Sequence, residues 1–159
     1  SSDVCSSDLE TIILIKLVIA IGTIFSLTGR TTNEGFSSAM YWYSLVDKNG
    51  WTKVSYKRGN PDHLRRLGHS ALYYPNMSSI IVFGGVVPEG PKTSVHSNKL
   101  LAFQVDLEVW SELAITSESG EVPKGRSFHS SVLVGDYLII YGKHTTVMSG
   151  DQSIITLGE

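Results

Sequence analysis

Apolar positions in this chain gather into short runs that return about every sixty residues. From Leu67 to Gly85 the stretch LGHSALYYPNMSSIIVFGG predicts two strands, Leu67–Tyr74 and Ser79–Phe83, joined by a tight turn and closed by a double glycine. Arg126–Gly142, RSFHSSVLVGDYLIIYG, repeats that order: arginine, a His-Ser pair, an apolar strand, a turn, a second apolar strand, glycine. Ile80–Phe83 and Leu138–Tyr141 are apolar at every position instead of alternate ones, which predicts strands covered on both faces.

A second pair of runs follows the same rhythm. Ala39–Trp51 (AMYWYSLVDKNGW) and Lys99–Trp110 (KLLAFQVDLEVW) each lead a strand into aspartate, then a turn, then a tryptophan that opens another strand, Trp51–Tyr56 or Trp110–Ile115. Asp47 and Asp106 are 59 residues apart, and so are Trp51 and Trp110. An aspartate suits such a turn because its carboxylate accepts backbone N–H bonds two residues on. The tryptophan supplies a large flat surface for a neighbouring unit. His69 and His129 are 60 apart but Gly85 and Gly142 only 57, so the second hairpin is expected to be three residues shorter, turning at Gly135-Asp136. Polar connectors, Lys57–His63 and Thr116–Lys124, and a longer loop with two prolines, Val86–Ser97, separate the units.

Ile12–Leu27 (IILIKLVIAIGTIFSL) is the most apolar segment, and three readings compete for it. A membrane-spanning helix needs about 20 apolar residues, more than this run holds, and Lys16 interrupts it. A secretory leader core fits the length, but no charged start or cleavage site accompanies it. A strand closing at Gly29 is favoured for Thr23–Leu27, because Gly29 precedes Gly85 by 56 residues and β-branched and aromatic residues precede it. Residues 10–22 stay unassigned.

One such unit cannot bury its own apolar face, so successive units must stack. These features resemble the kelch family: the double glycine Gly84-Gly85, the Tyr43…Trp51 and Phe103…Trp110 spacings, and Arg-x-x-His-Ser at Arg66/His69/Ser70 and Arg126/His129/Ser130. Lys143 and Thr28 stand where that pattern expects glycine. The resemblance covers about residues 23–142 and implies an all-β fold: a partial kelch β-propeller of about two four-stranded antiparallel blades from a larger ring. Counted in strands, that is the end of one unit, a complete unit (Leu67–Ile115) and the first half of a third, with 143–159 a loop or truncated tail. The hairpin phrases are similar to those of the attractin and multiple-EGF-like-domain group. That likeness implies a non-enzymatic recognition module in a large membrane-bound or secreted protein, acting outside the cell beside EGF-like modules. The alternative is an intracellular kelch protein, such as a ubiquitin-ligase substrate adaptor or a cytoskeletal binder.

Composition fits a globular chain of 159 residues, 42% hydrophobic and 18% charged. Its first nine, SSDVCSSDL, read as translated adapter sequence and are set aside. Without Asp3 and Asp8, 13 acidic residues balance 13 basic ones, which gives no long-range attraction to nucleic acid. Without Cys5, the only cysteine, a disulfide, a thiolate metal site or the copper site of kelch-type oxidases has no ligand to build on. No cofactor is expected.

Candidate chemistry is sparse. His69-Ser70 and His129-Ser130 suggest a nucleophile with its base, but neighbours on a strand point to opposite faces. Their repetition favours a structural role, such as bonding a neighbouring strand's backbone. Gly120–Ser127 (GEVPKGRS) nearly spells a phosphate loop but precedes a strand rather than a helix. Lys53, Lys57, Arg58, His63, Arg65 and Arg66 form the densest basic run, read as a solvated connector. His96 and His144 read as inert loop residues. Asn76-Met77-Ser78 is an N-glycosylation acceptor on a turn. Val86–Ser97 is the favoured contact loop, since rigid scaffolds present variable connections. The chain by itself is expected to be marginally stable and to need the remaining blades, since repeat stability sums over neighbour interfaces.

Overall fold

The computed structural model describes residues 12–20, 22–31, 35–59, 64–115, 120–142 and 151–157. Three antiparallel sheets follow one another along the chain. The first contains β1 (Ile12–Ala20), β2 (Thr23–Thr31), β4 (Tyr41–Ser44) and β5 (Thr52–Lys53) in that spatial order, with the short β3 (Gly35–Phe36) against the end of β2. The second contains β6 (Ser70–Tyr74), β7 (Ser79–Phe83), β10 (Leu100–Gln104) and β11 (Val109–Leu113), again in chain order across the sheet. Between β7 and β10 a separate hairpin forms from β8 (Val86–Pro88) and β9 (Ser94–His96). The third contains β12 (Ser130–Val134), β13 (Tyr137–Gly142) and β14 (Asp151–Thr156).

This is the predicted all-β architecture, with additions at both ends. The unassigned stretch 10–22 contains β1, which pairs along the length of β2 and makes the first sheet a full ladder. Residues 143–159, expected to be loop or tail, contain β14: Ile154 and Ile155 sit in register with Ile139 and Leu138 of β13. Neither strand carries the His-Ser pair, double glycine or tryptophan that marks the repeat, so the repeat pattern passed over them. β6 starts at Ser70, three residues later than predicted, because Leu67 instead bridges Val86.

Alternate positions along each strand explain the stacking. Ile80 and Val82 on one face of the second sheet pack with Phe25 and Leu27 of the first. Ile81 and Phe83 on the other face pack with Leu138 and Ile140 of the third. All five residues of β7 are buried, as its unbroken apolar run predicts. Each fully buried side chain of this size contributes roughly 1.5–3 kcal/mol. The three sheets approach closest along their first strands, β1 with β6 and β6 with β12, so they fan out from a common inner edge.

Leu138–Tyr141 corrects the other half of that expectation. Leu138 and Ile140 are buried but Tyr141 is 61% exposed, because no fourth sheet lies beyond the third among the described residues.

The tryptophans test the repeat directly. Trp110 packs on Phe103 with ring centroids 5.0 Å apart and planes tilted 38°; Trp51 packs on Tyr43 at 5.5 Å and 49°. Trp110 is buried against the first sheet, whereas Trp51 faces away from the second and is half-buried. The local pairing is one motif used twice; only the outer covering differs.

The aspartates match less closely. Lys48 and Glu108 each take the left-handed conformation and donate their N–H to the carbonyl four residues back, Ser44 and Gln104. These turns are sixty residues apart, so Asp47 and Asp106 occupy adjacent positions in them rather than equivalent ones. Nor does the Asp47 carboxylate take a backbone N–H in the way the turn chemistry suggested. It accepts the Ser44 hydroxyl at 3.0 Å, and the Ser44 oxygen accepts the N–H groups of Val46 and Asp47.

Candidate functional site

The most repetitive residues meet where one sheet hands over to the next. Arg66 and Arg126 are buried, and the guanidinium of each reaches the carbonyl of a closing glycine: Arg66 Nη1 to Gly84 at 2.6 Å, Arg126 Nη1 to Gly142 at 3.4 Å. Arg126 also donates to the Ser153 hydroxyl at 3.1 Å and the Lys124 carbonyl at 3.2 Å. Bonds of this kind are what make a buried cation tolerable. Burial pulls the Arg66 pKa down to about 10 while the Glu112 carboxylate opposes the shift, so it stays a cation at neutral pH. Arg66 therefore does not belong to a solvated connector, unlike Lys53, Lys57 and Arg58, which are exposed.

By these bonds and by strand pairing Gly142 matches Gly84, while in its approach to the histidine it matches Gly85. The two hairpins then differ by two residues rather than three, since Pro75–Ser78 joins β6 to β7 and Gly135–Asp136 alone joins β12 to β13.

His69 and His129 are both buried and sit alike: a Cβ built on Gly85 would lie 3.0 Å from His69 Cβ, and one on Gly142 would lie 3.0 Å from His129 Cβ. The Ser70 hydroxyl does meet a histidine, though not its neighbour. Nε2 of His129, from the following unit, lies 2.9 Å from it. This His129 bond joins side chains of two successive blades. His129 also stands edge-on to Phe83 at 5.5 Å. Gly84, at φ +70°, fits between these groups; a Cβ there would lie 2.6 Å from the Arg126 carbonyl oxygen and 2.8 Å from the His129 ring. Ser70 is buried, and its hydroxyl is held in the bond to His129 between the two blades.

The loop Val86–Ser97 is rooted in this seam. Ser97 donates its N–H to Gly85 O and accepts that of Arg126, while His96 Nδ1 lies 3.0 Å from the Ser127 hydroxyl. His96, read as inert, therefore ties the loop to the next unit; His144 lies outside the described residues.

Beyond its rooted base the hairpin tip, Pro88–Ser94, walls a cleft of about 690 Å³ with Gly35, Phe36 and Arg65 opposite. A second cleft of about 510 Å³ shares Phe36 and Arg65 and continues past Ser38, Lys53 and Tyr56. Arg65 Nε donates to the Phe36 carbonyl at 3.4 Å, and the Tyr56 hydroxyl donates to the Ser38 carbonyl at 2.9 Å. Burial raises the Tyr56 pKa, which keeps that hydroxyl a donor. The first cleft joins the corresponding connections of two successive units, β2 to β4 and β7 to β10, with Arg65 from the β5-to-β6 connector; the second lies between the β2-to-β4 connection, β5 and that connector.

A family model, the Attractin/LZTR1 beta-propeller, matches residues 7–154. The chain belongs to that family. Its sheets are propeller blades, and the family match extends past the 23–142 repeat at both ends. "Multiple epidermal growth factor-like domains protein 8" of Homo sapiens is 31% identical over 116 residues, covering 72% of this chain and 4% of that protein. "Leucine-zipper-like transcriptional regulator 1 homolog" of Drosophila melanogaster is 32% identical over 78 residues, 49% of this chain and 7% of that protein. The chain thus spans a small part of the relatives it matches. The solved structure of YjhT superposes with a TM-score of 0.60 at 16% identity, covering 89% of this chain and 40% of that one. This likeness shows the fold alone.

At the other end of the blades, Asp136 in the short turn accepts hydrogen bonds from the Tyr74 hydroxyl and from Asn76 Nδ2, the latter at 2.8 Å. The bond to Asp136, then burial, raises the Tyr74 pKa. Nδ2 is the atom an N-linked sugar would occupy, so the acceptor asparagine is exposed yet engaged by the next blade.

Phe36, Tyr56 and Phe128 were not singled out from the sequence. Phe128 is 70% exposed and holds the left-handed conformation that Gly68 holds sixty residues earlier; it donates its N–H to Gly68 O at 2.7 Å. The Gly29–Gly85 spacing already aligns the β2-to-β4 connection with Val86–Ser97, and that alignment is the signal that pairs Phe36 with the loop.

Proposed function

We propose that these blades form part of a non-catalytic protein-recognition propeller whose binding surface is the double cleft under the β8–β9 hairpin. The observation that carries this reading is the construction of the cleft. One wall is the β8–β9 hairpin, whose root is clamped by the Ser97, Arg126 and His96 bonds to the seam, and it faces Gly35 and Phe36 from the preceding unit. In this reading His69, His129, Gly84, Gly85 and Gly142, with Trp51, Trp110 and the turn aspartates Asp47 and Asp106, are structural: they fix the blades so that the loops hold their places. Rigid frames with variable loops are the usual way such folds recognise partners.

The setting that fits best is outside the cell, in a large multi-module protein, on the strength of the likeness to the EGF-like-domain protein. An N-glycan on Asn76 would belong to that setting. The alternative, an intracellular adaptor, rests on the likeness to the fly regulator. EGF-like modules in the flanking sequence favour the first, and a BTB domain the second.

The cleft can be tested in the full-length protein with a photo-reactive residue placed at Lys92 on the hairpin tip and another at Glu108 on an outer turn. A distinct protein adduct is expected from Lys92 and not from Glu108, falling at least tenfold when residues 89–93 are shortened to Asn-Gly. Equal adducts from both positions would count against the cleft.

A further inference from the structure

The two clefts beside the β8–β9 hairpin are unevenly charged. Among the described residues that line them, Lys53, Arg65 and Lys92 are cations and Glu89 is the one carboxylate. Lys53 and Lys92 are exposed and make no ion pair among the described residues, whereas Lys57 nearby pairs with Glu108 at 3.4 Å. Arg65 stands where the clefts meet, and the bond from its Nε to the Phe36 carbonyl anchors the side chain along that divide.

The remaining lining is not purely electrostatic. Phe36 and Tyr56 are half-buried, and Pro88 and Pro91 add apolar surface on the hairpin side. Cations set beside aromatic rings suit a partner that brings carboxylates and apolar side chains together. A guanidinium is well matched to a carboxylate, which its fork of N–H donors can hold. Glu89 repels an unbroken acidic run, so acidic side chains separated by apolar ones fit best.

Building on the reading of this surface as a protein-recognition site, we propose that its occupant is an acidic segment of the partner protein, lying extended through both clefts. A carboxylate of that segment meets Arg65 at the divide, others face Lys53 and Lys92, and apolar side chains rest on Phe36 and Tyr56. Successive side chains of an extended segment point to opposite sides, which lets one segment present both kinds of group.

A photo-reactive residue at Thr93 of the full-length protein keeps all three cations in place. The partner peptide joined to it, sequenced by mass spectrometry, should be net negative and carry at least two Asp or Glu close to the cross-link. The adduct should fall at least tenfold with Arg65→Glu and again with Lys53→Glu, a change on an exposed side chain, while β-sheet circular dichroism is retained. It should also weaken as salt rises from about 0.1 to about 1 M, where the screening length drops from about 10 to about 3 Å. Undiminished adducts in both variants, or a neutral or basic peptide, would overturn the acidic partner and leave the cleft reading standing. A sulfated polysaccharide in the adduct in place of a peptide would overturn it as well. Absence of any adduct from both Lys92 and Thr93 would defeat the cleft reading itself, and this inference with it.

Discussion

Gly84→Ala is expected to destabilise the chain by roughly 3–5 kcal/mol, enough to unfold most of a marginally stable domain. Two costs combine. At φ +70° any Cβ stands in the left-handed region, worth about 1–2 kcal/mol of strain for alanine. The larger cost is steric: the added methyl would lie 2.6 Å from the Arg126 carbonyl oxygen, which is backbone and cannot swing away. Relieving that contact means moving the lead-in to the third blade. Both the Gly85 N–H bond to Arg126 and the His129 bond to Ser70 would then be lost. Gly50→Ala separates the two costs, since Gly50 has φ +91° and nothing within 4 Å of its ideal Cβ. Urea melts of the two variants against wild type should show Gly50→Ala losing only about 1 kcal/mol, the strain alone. Equal losses would mean that the blades are not held together through Gly84.

Phe103→Ala should cost about 3–5 kcal/mol, the usual range for emptying a buried phenylalanine site. Phe103 is almost wholly buried between the first and second blades, edge-on to Phe25 at 6.4 Å and stacked with Trp110. Tyr43→Ala makes the corresponding change in the first blade, where the same stacked pair is half-buried. There the loss should be about 1 kcal/mol, mainly the aromatic pair itself. The ratio between the two is the informative quantity. Melting the two variants side by side measures it.

The repeat was legible because glycine, histidine and tryptophan mark it at fixed offsets, and those offsets placed β6, β7, β10 and β13 within a few residues. β1 escaped because a run apolar at nearly every position has no period to distinguish a strand from a short buried helix. β14 escaped because, although Gly150 and Gly158 flank it, no double glycine, His-Ser pair or tryptophan lies near Ile154 and Ile155 to mark the repeat. The chemistry of the seam was harder to see for a topological reason. His69 and Ser70 are adjacent in sequence, yet Ser70 bonds a histidine 59 residues away, on the next blade. Arg66 sits in a basic run that looks like a surface, and only the carbonyl of Gly84 shows why it turns inward. Likewise the clefts join Phe36 to the 88–94 tip across two units, a proximity that no local pattern encodes.

The central claim is that β7 is shared between two neighbours, one on each face. Methyl and aromatic nuclear Overhauser contacts in the intact chain test this most directly. Ile80 and Val82 should contact Phe25 and Leu27, whereas Ile81 should contact Leu138 and Ile140, with no crossover between the two sets. Contacts from Ile81 to Phe25, or from Ile80 to Leu138, would contradict blade-on-blade stacking.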